Sequence, residues 1–505
     1  MVVEVFYYHF LKHSHKMTKI LSLCSLLVLL TYLTSLSQVK KEKYRPVYHY
    51  TPPKNWVNDP NGMVYLDGEY HLFYQYNPFG TKWGHMSWGH AVSKDLKTWK
   101  TLPLALKEFD NVDGSQTMIF SGCAVIDEMN TSGLFAKGFT KGMVAMFTSH
   151  VTKDKKDIAQ HQSLAYSSDK GRTWKYYDKN PVLDIGSTNF RDPNVFWYAP
   201  KNKWIVSVVV ALEHKVQFYE SKNLKDWKLL SEFGKMGDTS SIWECPSLQK
   251  VPTSNGLDKW VVIISSGHRQ PKYVGMQYFV GDFDGTIFTP QKQKEVLYVD
   301  EGKDFYAAVP FYNRPKSQPN PIIMGWVNNW AYANEVPTDT WRGGFSVPRK
   351  LSLFQEDGMY QLKQTPIISE NVFTEKLTLQ PNVKINAQTI ILKDNLYRLV
   401  LDINLLTSKG FALNLLKNGD EKSILSYDVA TETLSFDRTK SGKIDFSERF
   451  KSIESMKIKP KNGHLKLDIF VDKSIVEIYA NDGEKVLTDL VFPTKDKGSV
   501  EIIWK

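Results

Sequence analysis

Short apolar and aromatic runs alternate with turn residues from about residue 45 to 350, and this pattern most limits the folds open to the chain. The runs are about four to eight residues long, rich in Val, Ile, Tyr and Phe, and separated by Gly, Pro, Asn and Asp, as strands joined by hairpins are. No long stretch keeps apolar residues at helical spacing. The pattern therefore predicts an all-β protein.

A degenerate repeat runs through this region. A Ser-x-Asp/Asn turn that leads into a Trp occurs at 93–99, 167–174 and 221–227. Repeated β-units at this scale are typical of propeller blades. One common hairpin type used three times is the alternative, but the three copies lie in one continuous β-rich region, which favours the propeller.

The distribution of Trp indicates a second domain. Thirteen of the 14 Trp lie between positions 56 and 341, and only Trp504 lies beyond them. From about residue 361 the chain alternates in short strands, as an antiparallel sandwich does. We predict a propeller over 45–360 that carries the functional site and a supporting β-sandwich over 361–505.

The N-terminal segment has the pattern of a targeting signal. An apolar run over 20–37 follows Lys16 and Lys19 and ends in Ser35-Leu36-Ser37. These features predict a signal peptide over 1–37, with Met17 as a possible start, and therefore a secreted protein with no membrane attachment after cleavage. A signal anchor is the alternative, since the run approaches the length of a membrane span.

Charge and cysteine content exclude several classes of protein. The net charge is +10, but Lys and acidic residues are interleaved, which indicates a solvated surface and no nucleic-acid partner. The three Cys, at 24, 123 and 245, exclude a disulfide-dense scaffold and a Cys-based zinc cluster. Cys123 and Cys245 could pair in an oxidising compartment.

Three acidic residues have similar sequence settings. Asp59, Asp192 and Glu244 are each followed by Pro or Cys-Pro, which marks a strand edge or end because Pro cannot donate to a ladder. One such acid alone is more often structural. Three of them in separate β-units are expected to converge on the axis of a propeller, where carboxylates among aromatic residues suit glycoside hydrolysis.

Neighbouring residues suggest how the three acids divide the work. Glu244 lies between Trp243 and Cys245, and an apolar setting favours a protonated acid. Asp59 has amide donors nearby, which favour the charged form of a nucleophile. The neighbour of Asp192 is Arg191, which should keep Asp192 ionised for binding sugar hydroxyls. The amide donors beside Asp59 are Asn58 and Asn61.

These residues belong to a series of motifs that resembles glycoside hydrolase family 32, the β-fructofuranosidases, which include invertases, exo-inulinases, levanases and fructan exohydrolases. The resemblance covers nearly all of the chain after the targeting segment. It implies a five-bladed β-propeller followed by a β-sandwich. The motifs are WVNDPNG at 56–62, FSG at 120–122, RDP at 191–193, ECP at 244–246, DFYA at 304–307, GWVNNW at 325–330 and FVDKSIVE at 470–477.

The resemblance also implies roles for individual residues. Asp59 would be the nucleophile, Glu244 the acid/base and Asp192 the stabiliser of the transition state, in a reaction that retains configuration. Trp326 is the expected aromatic wall of the fructose subsite, with Trp330 as the alternative. The other implied substrate-binding residues are Asn58, Pro60, Asn61, Gln75, Trp83, Phe120, Ser121 and Arg191.

The expected activity is hydrolysis of terminal β-D-fructofuranosyl residues, with sucrose as the main substrate and no metal or cofactor. Inulin or levan as substrate, and fructosyl transfer to a sugar, remain alternatives. A sugar-binding protein that has lost catalysis is a remote one, because all three carboxylates are present. Two departures from the common family pattern leave the three carboxylates in place: Cys123 follows FSG, and Ser247 follows ECP. The second could alter the setting of Glu244 and the preference for the leaving group.

Overall fold

The computed structural model describes residues 42–267, 274–379 and 387–504. This part of the chain is almost entirely β-structure, which confirms the predicted fold class. The predicted signal peptide over 1–37, with Met17 and Cys24, lies outside the described residues. None of the helices in the described ranges has the length and apolar character needed to cross a membrane.

The first three blades are antiparallel sheets of consecutive strands. Blade 1 consists of β1 (Asn55–Leu66), β2 (Glu69–Asn77), β3 (Ser87–Ser93) and β4 (Lys100–Leu106). Blade 2 consists of β5 (Phe109–Asp110), β6 (Gln116–Asp127), β7 (Gly142–Lys153), β8 (Lys156–Ser167) and β9 (Lys175–Tyr176). Blade 3 consists of β10 (Phe190–Tyr198), β11 (Lys203–Val210), β12 (Lys215–Ser221) and β13 (Lys228–Gly234), with short 3-10 helices at Ala199–Lys201 and Ala211–Glu213.

Two further sheets complete a five-bladed propeller. Blade 4 consists of β14 (Glu244–Pro252), β15 (Asp258–Gly267), β16 (Val274–Phe283), β17 (Phe288–Pro290) and β18 (Leu297–Tyr298). Blade 5 consists of β19 (Tyr306–Pro310), β20 (Ile322–Trp326), β22 (Arg349–Glu356) and β23 (Met359–Pro366), while β21 (Trp341–Arg342) pairs in parallel with β1 of blade 1. The last strand of blade 5 runs past residue 360, where the sequence placed the domain boundary.

The Ser-x-Asp/Asn repeat is the same connection in three successive blades. It joins β3 to β4, β8 to β9 and β12 to β13. In each copy the Ser hydroxyl and the Asp or Asn side chain accept backbone N–H groups of the turn, which fixes its shape. The repeat is therefore an equivalent structural element of the blades, as the propeller interpretation predicted.

The innermost strand of every blade carries a β-bulge at the same place. In β1, β6, β10, β14 and β19, two residues face a single residue of the neighbouring strand. Bulges bend a strand and change the direction of its side chains. The paired extra residues are Asn58-Asp59, Phe120-Ser121, Asp192-Pro193, Cys245-Pro246 and Ala307-Ala308.

The C-terminal region folds into two packed sheets around one apolar core. The first sheet contains β24 (Glu375–Leu379), β26 (Leu396–Asn404), β31 (His464–Asp472), β32 (Ile475–Ala480) and β33 (Lys485–Leu490). The second contains β25 (Ala387–Ile391), β27 (Gly410–Asn418), β28 (Glu421–Asp428), β29 (Thr433–Lys440), β30 (Ile453–Lys457) and β34 (Ser499–Trp504). Short 3-10 helices lie at Glu370–Val372 and Asn481–Gly483.

Buried ion pairs join the sandwich to the propeller. Arg349 of β22 pairs with Glu477 of β32 at 3.1 Å and with Asp300 at 2.8 Å. His49 bridges two sandwich carboxylates, with Nδ1 at 3.0 Å from Asp472 and Nε2 at 3.1 Å from Glu477. A second buried set joins Arg438 of the sandwich to Asp304 of the propeller. Two of the sequence motifs, DFYA and FVDKSIVE, therefore contribute acids to the junction between the domains.

Candidate active site

A cavity of about 520 Å³ opens at the centre of the propeller. The bulges of the innermost strands contribute Asn58, Asp59, Ser121 and Asp192 to its polar lining. Among the described residues, none of its lining comes from the sandwich. The lining residues are Asn58, Asp59, Gln75, Trp83, Phe120, Ser121, His150, Asp157, Gln160, Thr188, Asn189, Arg191, Asp192, Glu244 and Trp330.

Asp59 is held by donors on both carboxylate oxygens. Ser121 donates its hydroxyl to Oδ2 at 2.6 Å, and Asn58 donates its amide to Oδ1 at 3.0 Å. The Asn58 carbonyl oxygen in turn accepts the Trp56 indole N–H at 2.7 Å, which fixes the orientation of the amide. Burial and then the charge of Glu244 raise the pKa of Asp59, while these hydrogen bonds lower it. The carboxylate is thus held in a fixed orientation at the cavity wall.

Asp192 is fixed by backbone groups at its bulge. Its own N–H donates to the Thr148 hydroxyl at 2.9 Å, and the Cys245 N–H donates to Oδ2 at 2.9 Å. The residue adopts a left-handed conformation, with φ of 62°. Burial raises the pKa of Asp192 to about 7; Arg191 opposes this, and Glu244 and Asp59 reinforce it.

Arg191 takes a different partner from the one predicted. Its Nη2 donates to Glu244 Oε1 at 3.2 Å, whereas its Nε lies 3.9 Å from Asp192 Oδ2. Successive side chains of a strand point to opposite faces, so a neighbour in sequence is seldom the closest charge. Tyr306 donates its hydroxyl to the other oxygen of Glu244 at 2.7 Å.

The apolar setting predicted for Glu244 also differs from the structure. Trp243 is fully buried in the apolar core between blades 3 and 4, and its indole N–H donates to the Asp238 carbonyl at 2.8 Å. Cys245 lies between the other two acids, with Sγ at 3.6 Å from Asp59 Oδ2 and 3.8 Å from Asp192 Oδ2. The groups in contact with Glu244 are therefore polar.

The structure brings together most of the predicted binding residues but corrects three of them. Trp326 is fully buried behind the wall, and Trp330, the alternative, lines the cavity with its ring centroid 4.8 Å from that of Trp326. Pro60 is buried and Asn61 is fully buried, and neither lines the cavity. Asn61 accepts the Gly122 N–H at 3.2 Å, so it links blades 1 and 2 from beneath the site.

Cys123 and Cys245, which the sequence left open as a possible pair, are both buried free thiols. Cys123 Sγ accepts the backbone N–H of Val195 at 3.1 Å. Burial raises the pKa of Cys123 to about 12, so its thiol stays protonated. Its place between blades 2 and 3 makes it part of the packing under the site.

Sequence reasoning missed one wall of the cavity. His150, Asp157 and Gln160 belong to the β7–β8 hairpin, which no motif singled out. The His150 ring stacks on Phe120 with centroids 4.3 Å apart, and Trp83 packs edge-on against Phe120. An unbroken aromatic surface therefore leads from the rim of the cavity to the hairpin.

The arrangement supports acid/base and nucleophilic chemistry on a sugar. Four carboxylates (Asp59, Asp157, Asp192 and Glu244), the Arg191 guanidinium and two aromatic walls surround a space large enough for a small saccharide. In the described ranges, no group of three or more His, Cys, Asp or Glu side chains is arranged to hold a metal ion.

Two family profiles match the chain and together cover both domains. Residues 49–366 match the glycosyl hydrolases family 32 N-terminal domain, and residues 360–505 match the glycosyl hydrolases family 32 C terminal domain. The two matches overlap at 360–366, within β23, the last strand of blade 5.

Curated relatives of this chain carry three different enzyme names. A levanase of Bacillus subtilis is 42% identical over 91% of this chain and 68% of its own length. An extracellular exo-inulinase of Aspergillus ficuum is 39% identical, with 90% of each chain covered. Invertase 2 of Saccharomyces cerevisiae is 36% identical, with 93% of each chain covered.

Solved structures share the fold over nearly the whole length. Exo-inulinase from Aspergillus awamori superposes with a TM-score of 0.85 and 36% identity, covering 92% of this chain and 96% of the exo-inulinase. The β-fructofuranosidase of Schwanniomyces occidentalis, in complex with fructosyl-erythritol, has a TM-score of 0.83 and 31% identity, covering 93% of this chain and 96% of its own.

Proposed function

Because the chain belongs to glycosyl hydrolase family 32, an enzyme family that acts on fructosides, we propose that it removes terminal, non-reducing β-D-fructofuranosyl residues with retention of configuration. The observation that carries the proposal is the convergence of Asp59, Asp192 and Glu244 in one cavity at the propeller axis. Retaining hydrolysis needs a nucleophile and an acid/base on opposite sides of the scissile bond.

Asp59 is the proposed nucleophile. One of its oxygens attacks the anomeric carbon of the fructosyl unit, and the bond to the leaving oxygen breaks as a fructosyl ester of Asp59 forms. The donors Ser121 and Asn58 hold the carboxylate in place for this attack. Its ester is later cleaved by water, which regenerates the free carboxylate.

Glu244 is the proposed acid/base. It gives a proton to the leaving oxygen in the first step and takes one from water in the second. Tyr306 and Arg191 orient its two oxygens. Asp192, held by the Cys245 N–H, is placed to accept hydrogen bonds from fructosyl hydroxyls and to stabilise the positive charge that develops on the sugar ring.

Sucrose, split into glucose and fructose, is the first candidate substrate, as the sequence predicted; the relative named invertase supports it. Chain ends of fructans are a second candidate, supported by the levanase and exo-inulinase relatives. We also propose that the protein is secreted, on the basis of the predicted signal peptide and of the extracellular exo-inulinase among the relatives.

The proposal is tested with a panel of substrates and with alanine variants of the three acidic residues. Purified protein is incubated with sucrose, raffinose, inulin and levan, and released glucose and fructose are measured. In Glu244→Ala, azide should restore turnover of a fructoside with a good leaving group and give a product of retained configuration, since a small anion needs no general base. Azide should rescue neither Asp59→Ala nor Asp192→Ala. If azide restored a product of retained configuration to Asp59→Ala but not to Glu244→Ala, the roles of nucleophile and acid/base would have to be exchanged.

A further inference from the structure

The β7–β8 hairpin reaches the cavity with three polar side chains. His150 of β7 and Gln160 of β8 are paired residues, so both lie on the same face of the sheet. Asp157 of β8 also lines the cavity, and its side chain is 62% exposed. The roles proposed for the three carboxylates leave this wall without a function.

A β-bulge brings Asp157 to the cavity face. Val151 pairs with Ala159 but Thr152 pairs with Asp157, so Ile158 is an extra residue without a partner across the ladder. In regular pleating Asp157 and Gln160, three residues apart, would point to opposite faces. The extra residue reverses this, and bulges beside active sites commonly redirect a side chain in this way.

A directed chain of hydrogen bonds connects Asp157 to the acid/base. Arg191 contacts Glu244 with Nη2 and donates from Nη1 to Gln160 Oε1 at 3.2 Å. The amide of Gln160 then donates from Nε2 to His150 Nδ1 at 3.1 Å. This leaves the proton of His150 on Nε2, which donates to Asp157 Oδ1 at 3.1 Å.

The chain leads from Glu244, the proposed proton donor to the leaving oxygen, to the exposed carboxylate of Asp157. Glu244 protonates the leaving oxygen, so groups that extend outward from Glu244 face the part of the substrate that leaves. A carboxylate that is held by His150 through one oxygen keeps acceptor capacity for a hydroxyl of a ligand. The stacked rings of Phe120 and His150 provide an apolar surface beside it.

We propose that His150 and Asp157 form a leaving-group subsite in which Asp157 accepts hydrogen bonds from hydroxyls of the sugar unit attached to the terminal fructosyl residue. This proposal rests on the function proposed above and extends it to the second sugar. The subsite selects leaving groups that carry hydroxyls over leaving groups that do not.

The test compares leaving groups in wild type and Asp157→Ala. Values of kcat/KM are measured for sucrose, for 1-kestose and for methyl β-D-fructofuranoside, whose leaving group has only the glycosidic oxygen and a methyl group and therefore no further hydroxyl to reach Asp157. We expect the ratio of a sugar-leaving substrate to the methyl fructoside to fall about tenfold, mainly through KM, as loss of a hydrogen bond to a charged group predicts. Lys156→Ala, the adjacent exposed residue of β8 outside the cavity lining, is the matched control and should keep the wild-type ratio.

The outcomes separate this proposal from the one it rests on. A fall with sucrose, with 1-kestose or with both supports the subsite and shows whether a glucosyl or a fructosyl unit occupies it. An unchanged ratio for both sugars in Asp157→Ala, or an equal fall in Lys156→Ala, overturns it. If wild type cleaves none of the three fructosides, the proposed function fails and the subsite fails with it.

Discussion

Glu477 at the domain junction and two acids of the cavity are all packed among other charged groups, yet their pKa values shift in opposite directions. At the junction with the sandwich, Glu477 receives donors on both oxygens, and although burial raises its pKa, Arg349 and then His49 lower the pKa to about 2. In the cavity, Asp59 and Asp192 have raised pKa values, because burial and neighbouring carboxylates outweigh their donors. The same residue types thus stabilise the junction between the domains and provide reactive groups in the cavity.

The difference lies in how the charges are balanced. At the junction, His49 and Arg349 approach Glu477, and backbone or hydroxyl donors complete its shell at Val347 and Tyr479. In the cavity, four carboxylates, Asp157 among them, face a single guanidinium. Carboxylates kept free of cationic partners can act on a substrate, but their mutual repulsion destabilises the fold. The cavity should therefore contribute less to stability than the junction.

The largest expected effect is on the cavity side of this comparison. Asp59→Asn should lower kcat for a fructoside about 10⁴-fold, because the covalent step loses its nucleophile. The same change removes a buried carboxylate among like charges, so the melting temperature should stay level or rise. Steady-state kinetics and calorimetry on the same preparation check both. A fall in melting temperature would show that Asp59 supports the fold and would weaken the comparison.

On the junction side, Glu477→Gln should act in the opposite sense. It leaves the buried cations Arg349 and His49 short of a partner, which should lower the free energy of unfolding by about 3 to 5 kcal/mol, with kcat of the folded protein unchanged. Denaturant unfolding provides the measurement. Glu213→Gln, in an exposed ion pair with Lys215, is the matched control and should cost less than about 1 kcal/mol.

The junction should also limit the pH range of stability. Two hydrogen-bonded carboxylates outweigh the effect of burial and raise the pKa of His49 from 6.5 to about 9, so its contribution is complete below pH 6.5 and is lost as pH rises to 9. The pKa of Glu477 falls from 4.5 to about 2, so its contribution is complete above pH 4.5 and is lost as pH falls to 2. Stability from this cluster should therefore be greatest between pH 4.5 and 6.5.

The acidic and the alkaline decline should each lower the free energy of unfolding by at most about 3 kcal/mol. Unfolding free energies are measured from pH 3 to 9 in wild type and in His49→Gln. The variant should lose most of the alkaline decline. Identical alkaline slopes in the two proteins would mean that His49 does not carry it.

The smallest effect concerns the two tryptophans at the cavity wall. Trp330→Ala should raise KM by up to about tenfold, through loss of an aromatic face worth about 1 kcal/mol against the sugar. Trp326 is fully buried behind the wall. Trp326→Phe should therefore lower the free energy of unfolding by about 1 to 2 kcal/mol and change KM much less. Equal effects of the two substitutions on KM would indicate that Trp326 also contacts the sugar.

The sequence predicted what depends on local pattern. The all-β fold, the blade repeat and the meeting of three acids at the axis follow from periodicity, turn chemistry and the position of Pro. The Pro residues 60, 193 and 246 do lie in innermost strands and not at strand ends: Pro193 and Pro246 are bulge residues, and Pro60 directly follows a bulge. Pro is tolerated at a bulge because a bulge residue has no ladder bond to lose.

Contacts between blades could not be predicted in the same way. The partner of Arg191 is Glu244 from the next blade, 53 residues away, and not adjacent Asp192. Trp326 and Trp330 are both aromatic, and only packing shows which one faces the cavity. Asp157 escaped notice because its direction depends on one extra residue, Ile158, whose effect is on register and not on composition.

The repeated bulge gives the propeller five interchangeable positions around one axis. The place that Asp59 occupies in blade 1 is taken by Ser121 in blade 2 and Ala308 in blade 5, and the place of Asp192 is taken by Cys245 in blade 4. Replacing a side chain at one of these positions changes the chemistry while the strand keeps its path. A protein built in this way can acquire new reactions through substitutions at the axis without a change in its backbone structure.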